Sequence, residues 1–423
     1  MAGPRWTRRA LSAAALLLAA APLHAQLGAG LPVDPAGTLG SIGERVGETL
    51  DDAKRSALDP LEGNVRQLRD LARERVRRLA SFVSDNRSAV EWDDERQPAV
   101  RGEVLLLDPD AQALALAGAR GYRVIEQGSI AGLDIPFARL AVPEGTDLDD
   151  ALKRLRKALP GREISADQLH FPAGMTAPSG QAGASSAALP RGGTVGVIDG
   201  GLAAGSAARL VAQKGFARGA PRQDEHAAAI ASLLTGAGTA RLYAADVYGS
   251  DPAGGNALAI ARALGWMHGG GVPVVSISLV GPPNPLLARA VAKVQQDGMV
   301  VVAAVGNDGA AAPPAYPASY DAVVAVTGVD RKGRALIEAG RALHVDYAAP
   351  GAEVYAMNAR GRPVILRGTS FATPLVAIRL ADALARRGDW QARLDREARD
   401  LGPRGEDRRF GRGLLCEQCA RKP

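Results

Sequence analysis

At roughly 150 residues per domain, the 423 residues of this chain allow two or three domains and exclude a single small fold. An apolar share of 47% with 23% charged residues is ordinary for a globular protein, and 50 Gly with 27 Pro fall short of a collagen-like or disordered composition. The formal charge of +6 drops to about +3 once Arg5, Arg8 and Arg9 are set aside in a removable leader without Asp or Glu, so bulk charge gives nucleic-acid binding no support.

That leader comprises residues 1–25: a basic start, an apolar run from Ala10 to Ala21, and small residues ending at Ala25, the order of a secretory signal peptide. The run has about 12 residues where a membrane span needs about 20, and no other segment qualifies. Export to the periplasm or the medium is therefore expected, with no transmembrane span in the mature chain. Residues 26–98 form a Gly/Pro/Ala-rich linker and then a helical segment. Apolar residues recur at helical spacing through Ile42, Val46 and Leu50, and again from Leu61 through Val65, Leu68, Ala72, Val76, Leu79 and Val83, with Pro60 dividing two helices. The second carries Arg66, Arg69, Arg73, Arg75, Arg77 and Arg78. A solvated charged face is the plain reading, a membrane-surface or partner contact the other.

Residues 99–171 read as a separate unit. A strand around Val104 to Leu107 precedes a helix opened by Asp108-Pro109, and strands follow at Tyr122 to Gln127 and Ile135 to Val142. A second helix follows, with Thr146 and Asp149 as its capping box and Leu148, Leu152, Leu155 and Leu159 on one face. A closing strand from Arg162 to Phe171 completes βαββαβ, a split ferredoxin-like α+β pattern with no obvious catalytic cluster. Residues 172–191, small and turn-prone, read as a flexible linker and a domain boundary. In residues 192–415, short apolar runs (TVGVID, ARLYAADV, VPVVSISL, MVVVAAVG, AVVAVTGV) alternate with helical stretches at His226 to Leu234, Asn256 to His268 and Pro285 to Gln296. The expected fold class is α/β, a mostly parallel sheet flanked by helices.

Strand ends and helix starts in this half present Asp199 in VIDGG, His226 in DEHAAAIASLL, Asn307 in AAVGNDG and Ser370 in RGTSFATPLVA. A serine hydroxyl is a poor nucleophile near neutrality; acyl transfer needs a His to take its proton and a carboxylate to hold the imidazole. Asp199, His226 and Ser370 supply those types, and the Asn307 amide can donate to an oxyanion. With these motifs in the order Asp, His, Asn, Ser, residues 192–415 resemble the subtilisin-like serine proteases, the subtilases. SISLVG (Ser276, Ile277, Ser278, Leu279, Val280, Gly281) resembles the family's substrate-pairing strand, and the runs YPASYDAVVAVTGVD, YAAPG and GRG also have counterparts there.

The resemblance implies a serine endopeptidase with protein or peptide substrates, an oxyanion hole from Asn307 and the Ser370 backbone N–H, and a self-processing zymogen inhibited by its own ferredoxin-like propeptide. A catalytically silent binding protein of the same fold is the alternative. Two departures, Ala227-Ala228 after His226 and Val280 before Gly281, narrow the cleft without removing a proton carrier or an oxyanion donor. No cofactor is expected. Calcium is implied by the resemblance alone, no Asp-rich loop supplies an oxygen-ligand pattern, and no metal ligands are assigned. In the tail 416–423, Cys416 and Cys419 admit a local disulfide, a redox pair, half a metal site or free thiols; no His stands near to complete a zinc site.

Overall fold

The computed structural model describes residues 65–173, 192–203, 209–386 and 388–419, all within one unit, Glu62–Pro423. The leader, the helix expected through Ile42, Val46 and Leu50, and most of the linker before the catalytic half lie outside them. The first described element is helix α1 (65–85), which contains the arginine run.

An antiparallel sheet follows, built from β1 (Val90–Trp92), β2 (Pro98–Leu107), β3 (Arg123–Ile130), β4 (Ile135–Ala141) and β5 (Ile164–Gln168), with α2 (Ala111–Gly118) and α3 (Leu148–Ala158) as its connections. β1 and β5 both pair with β2, which pairs with β4, which pairs with β3. Side chains alternate across a strand, and β2 uses both faces. Val104 and Leu106 pack with Leu148, Leu152 and Leu155 of α3, whereas Leu105 and Leu107 pack into the core of the second half. Both helix starts differ from expectation. Helix α2 begins three residues after Asp108, behind Asp110, whose carboxylate accepts from Ala113 N. Before α3 the cap position falls on Asp147, whose side chain makes no cap bond, so the Thr146/Asp149 box does not form. The expected closing strand is broken in two, β5 and the short β6 (Phe171–Pro172).

The second half is a seven-stranded, wholly parallel sheet in the order β14-β13-β12-β10-β7-β9-β8. Its strands are β7 (Thr194–Asp199), β8 (Leu210–Gly215), β9 (Arg241–Asp246), β10 (Val274–Ile277), β12 (Val300–Ala304), β13 (Val324–Val329) and β14 (Tyr347–Pro350). Near-continuous Val/Ile/Ala runs suit strands buried on both faces. Val195, Val197, Val302 and Val326 pack on α4 (Glu225–Gly236) and α7 (Thr369–Leu384). Ile198, Val275, Val301 and Ala303 pack on α5 (Ala257–Gly269) and α6 (Pro285–Gln296). Strand β11 (Leu279–Val280), the hairpin β15 (Val354–Met357) with β16 (Pro363–Leu366), and helix α8 (Trp390–Glu397) complete the fold. The antiparallel sheet docks on the helix starts of α5 and α6. Leu258 N donates to Asp167 at 3.0 Å, and the Asn284 amide donates to Gln168 at 2.6 Å and to the Ala166 carbonyl at 3.0 Å. No helix among the described residues is long and apolar enough to cross a membrane.

Candidate active site

Asp199 ends β7, and His226 is the second residue of α4. What brings them together is the pair of glycines after Asp199. A Cβ on Gly200 would stand 2.4 Å from Asp224 Cβ, and one on Gly201 2.5 Å from the Arg222 carbonyl oxygen, so any larger residue would push the start of α4 away. Asp224 caps the helix through Ala227 N at 2.9 Å. The His226 Nδ1 then lies 2.9 Å and 3.0 Å from the two Asp199 oxygens, and the carboxylate also accepts from Gly200 N at 2.8 Å. Burial pushes the imidazole pKa down, but the Asp199 charge and hydrogen bond outweigh it, and the net shift is upward from 6.5. The other ring nitrogen, Nε2, is buried without a partner. A ring held at Nδ1 by a carboxylate, with Nε2 free, is arranged to accept a proton.

Ser370 is the second residue of α7 and is fully buried. Four residues on stands Pro374, which has no N–H for the Ser370 carbonyl. The Ser278 hydroxyl replaces it, donating to that carbonyl at 2.9 Å, and the Ser370 hydroxyl lies 3.4 Å from the Ser278 carbonyl. The His226 ring meets Phe371, the next residue, at 5.5 Å between centroids. The loop bearing Asn307 is latched to the same helix start: Thr369 N donates to Asn307 Oδ1 at 3.0 Å, and the Thr369 hydroxyl donates to the Gly306 carbonyl at 3.1 Å. With its oxygen so used, the amide presents Nδ2, buried and without a partner.

The SISLVG stretch divides in two. Ser276 and Ile277 lie in β10, paired on both sides within the parallel sheet. The remaining residues meet an extended segment of the same chain. β6 pairs antiparallel with β11, Phe171 opposite Val280 and Pro172 opposite Leu279, and Ala173 N donates to the Ser278 carbonyl at 2.8 Å. On its other side the segment pairs with residues 255–256. Leu169 bridges Asn256, His170 N donates to the Gly255 carbonyl at 2.8 Å, and the Tyr248 hydroxyl donates to the His170 carbonyl at 2.8 Å. Residues 169–173 are thus the middle strand of three, and Ala173 bonds the same Ser278 carbonyl that lies 3.4 Å from the Ser370 hydroxyl.

Several of these residues escape sequence reading. The 255–256 side had one signal, the paired glycines Gly254-Gly255, which permit a close chain approach. For α1 the arginine run allowed a partner contact without naming the partner. Its Arg75 and Arg78 reach Asp308, next to Asn307, at 3.2 Å and 2.7 Å, its Leu71 approaches Gly309, and Phe82 meets Phe171 edge-on at 5.0 Å. Helix α1 therefore touches both the Asn307 loop and the strand lying in the cleft. His170 is fully buried there, and burial pushes its imidazole down to about 4.

Asp199, Asp224 and His226 bring their ligand atoms within 4.8 Å of one another. These groups already serve the His226 contact and the helix cap, and they do not match the six to eight oxygens of a calcium site. Cys416 and Cys419 are joined as a disulfide, their Cα atoms 5.1 Å apart.

Residues 200–413 match the family model described as "Subtilase family". Subtilisin DY of Bacillus licheniformis is 35% identical over 189 residues, 42% of this chain and 67% of that protein. Subtilisin BL of Lederbergia lenta is 36% identical over 146 residues, and there the chain spans 54% of its relative. In fold, the chain is similar to fervidolysin of Fervidobacterium pennivorans, at a TM-score of 0.61 with 16% identity, over 77% of this chain and 62% of that one. Fold and family match define a serine-type endopeptidase. More particularly, the chain belongs to the subtilase family.

Proposed function

We propose that the protein is an exported endopeptidase made as a self-processing zymogen, with Asp199, His226 and Ser370 as its triad. The observation that carries the reading is the His226 ring fixed at Nδ1 by Asp199 while its Nε2 and the Asn307 Nδ2 are both buried without partners. Ser370 Oγ attacks a peptide carbonyl as His226 Nε2 takes its proton. The oxyanion accepts hydrogen bonds from Asn307 Nδ2 and the Ser370 N–H, an amide in the first helical turn, where intrahelical acceptors are lacking. The imidazolium, balanced by Asp199, returns the proton to the leaving amine, and water, activated by the same His226, then releases the acyl group from Ser370. Substrates bind extended, pairing with Ser278 to Gly281 on one side and Gly255 on the other, through main-chain bonds that do not read sequence.

The sheet of residues 90–168, with α1 and the strand 169–173, acts as inhibitor and docking aid in this reading. Its support is the occupied cleft and the buried Leu105 and Leu107 beneath it. A linker tethered at the active site sees an effective concentration near millimolar, so self-cleavage between about 170 and 191 is expected. Export is supported by the leader-like residues 1–25. The test is N-terminal sequencing of the purified protein with and without Ser370→Ala. The wild type splits within that interval, whereas the variant keeps a chain beginning near Gln26. A variant that matures identically in a host lacking other envelope proteases would refute self-processing.

A further inference from the structure

The strand in the cleft shows which bond meets the serine and how much room the residue before that bond has. Chain direction fixes the first point. Phe171, Pro172 and Ala173 step past Val280, Leu279 and Ser278 in turn, toward Ser370. The Ser278 carbonyl accepts from Ala173 N at 2.8 Å and lies 3.4 Å from Ser370 Oγ, so the carbonyl next along the chain, that of Ala173, is the one brought up to the hydroxyl.

Room is set by three residues. Opposed residues of an antiparallel pair share a face, as do alternate residues of one strand, so the Ala173 methyl is on the face of Ser278 and Val280. Beyond that face runs the stretch before Asn307. A Cβ on Gly306 would stand 3.3 Å from Val280 Cγ1 and 3.9 Å from Ala315 Cβ, so both side chains border the Gly306 backbone and leave no space beside it for a larger group. Ala173 itself is 2% exposed, its methyl already enclosed.

We infer that Val280 and Ala315 make this a peptidase for small residues, alanine and its like, on the acyl side of the cut bond, and that its own maturation cut falls between Ala173 and Gly174. The inference rests on the peptidase reading above and adds to it a substrate class and a scissile bond. A benzyl or isobutyl group in place of the methyl has to displace the Val280 side chain, whose neighbour Gly281 is held by backbone bonds to Tyr316 at 2.9 Å and 3.0 Å. Overfilling a closed pocket of this kind costs about 10- to 100-fold in specificity.

The test uses the mature enzyme on succinyl-Ala-Ala-Pro-X-p-nitroanilides with X as Ala, Leu or Phe, for wild type, Val280→Gly and Ala315→Gly. The ratio of kcat/KM between X = Ala and X = Phe is read within each enzyme, so active fraction cancels. Wild type should favour Ala over Phe by about 10- to 100-fold. Val280→Gly should lower that ratio at least about tenfold, with Ala315→Gly moving it the same way, because each removes side-chain volume from the pocket wall. The mature chain should begin Gly-Met-Thr-Ala. A wild type that cuts Phe as readily as Ala, a ratio that neither variant moves, or a different mature N-terminus overturns the inference while leaving the peptidase reading intact. A wild type that cuts none of the three peptides and does not mature overturns both.

Discussion

Replacing Asn307 by Leu removes an amide whose two ends have different tasks. The Nδ2 end is buried and unpartnered, and in the proposed mechanism it bonds the oxygen that gains charge during attack. Loss of one such donor costs about 100- to 1,000-fold in turnover, or about 2.7–4 kcal/mol. The ground-state carbonyl uses it little, so KM should change by less than about threefold. The Oδ1 end holds Thr369 N at 3.0 Å, and its loss should cost about 1 kcal/mol of stability, a separate effect. Asn307→Asp separates the two, since it keeps the acceptor and loses the donor. Burst titration followed by kcat and KM on a chromogenic peptide should show both variants slow and only the leucine variant less stable. A turnover number unchanged in Asn307→Leu would refute the oxyanion assignment.

The pKa of His226 is raised above 6.5, and only the neutral ring accepts a proton. Activity should therefore climb with pH through a value above 6.5 and at pH 5 stand below about one-thirtieth of its plateau; a flat profile from pH 5 to 8 would exclude His226 as base. Stability runs the other way. The folding contribution of the charged His226–Asp199 pair is fully present below pH 6.5 and fades as pH rises through the raised value, a trend that should vanish from thermal melts when His226→Ala is added to Ser370→Ala. Arg75→Ala with Arg78→Ala removes two partly exposed contacts to Asp308, each worth about 0.2–1 kcal/mol, so active enzyme should appear a few-fold sooner after the cut; an unchanged activation time would free these two ion pairs of any part in latency. Asp224→Ala removes the cap of the helix bearing His226 and should cost about 1 kcal/mol, read as a lower melting temperature.

What the sequence reveals here is local. The buried strands announce themselves as Val/Ile runs, and the site residues sit at their ends or at helix starts, where short motifs such as VIDGG and GTSFATP fix the backbone. Leu148, Leu152, Leu155 and Leu159 are buried as their spacing implies. The illegible part is made of contacts between residues far apart in the chain. Nothing in the arginine run says that Arg78 will find Asp308, 230 positions on, and a helix with a solvated face has the same pattern. The Pro374–Ser278 arrangement is likewise hidden, because a proline within a helix does not reveal which side chain will bond the carbonyl it leaves open. Helix starts slipped for a related reason: Asp108, Asp110, Thr146 and Asp147 are all good cap residues, and tertiary packing chooses among them.

The most direct test of the central claim is labelling of the mature protein with a fluorophosphonate, which reacts with a serine made nucleophilic by its base, followed by peptide mapping. One modified residue is expected, Ser370, with labelling lost in His226→Ala and strongly slowed in Asp199→Asn. Absence of label on a folded, mature protein, or label on Ser370 that persists without His226, would contradict the claim.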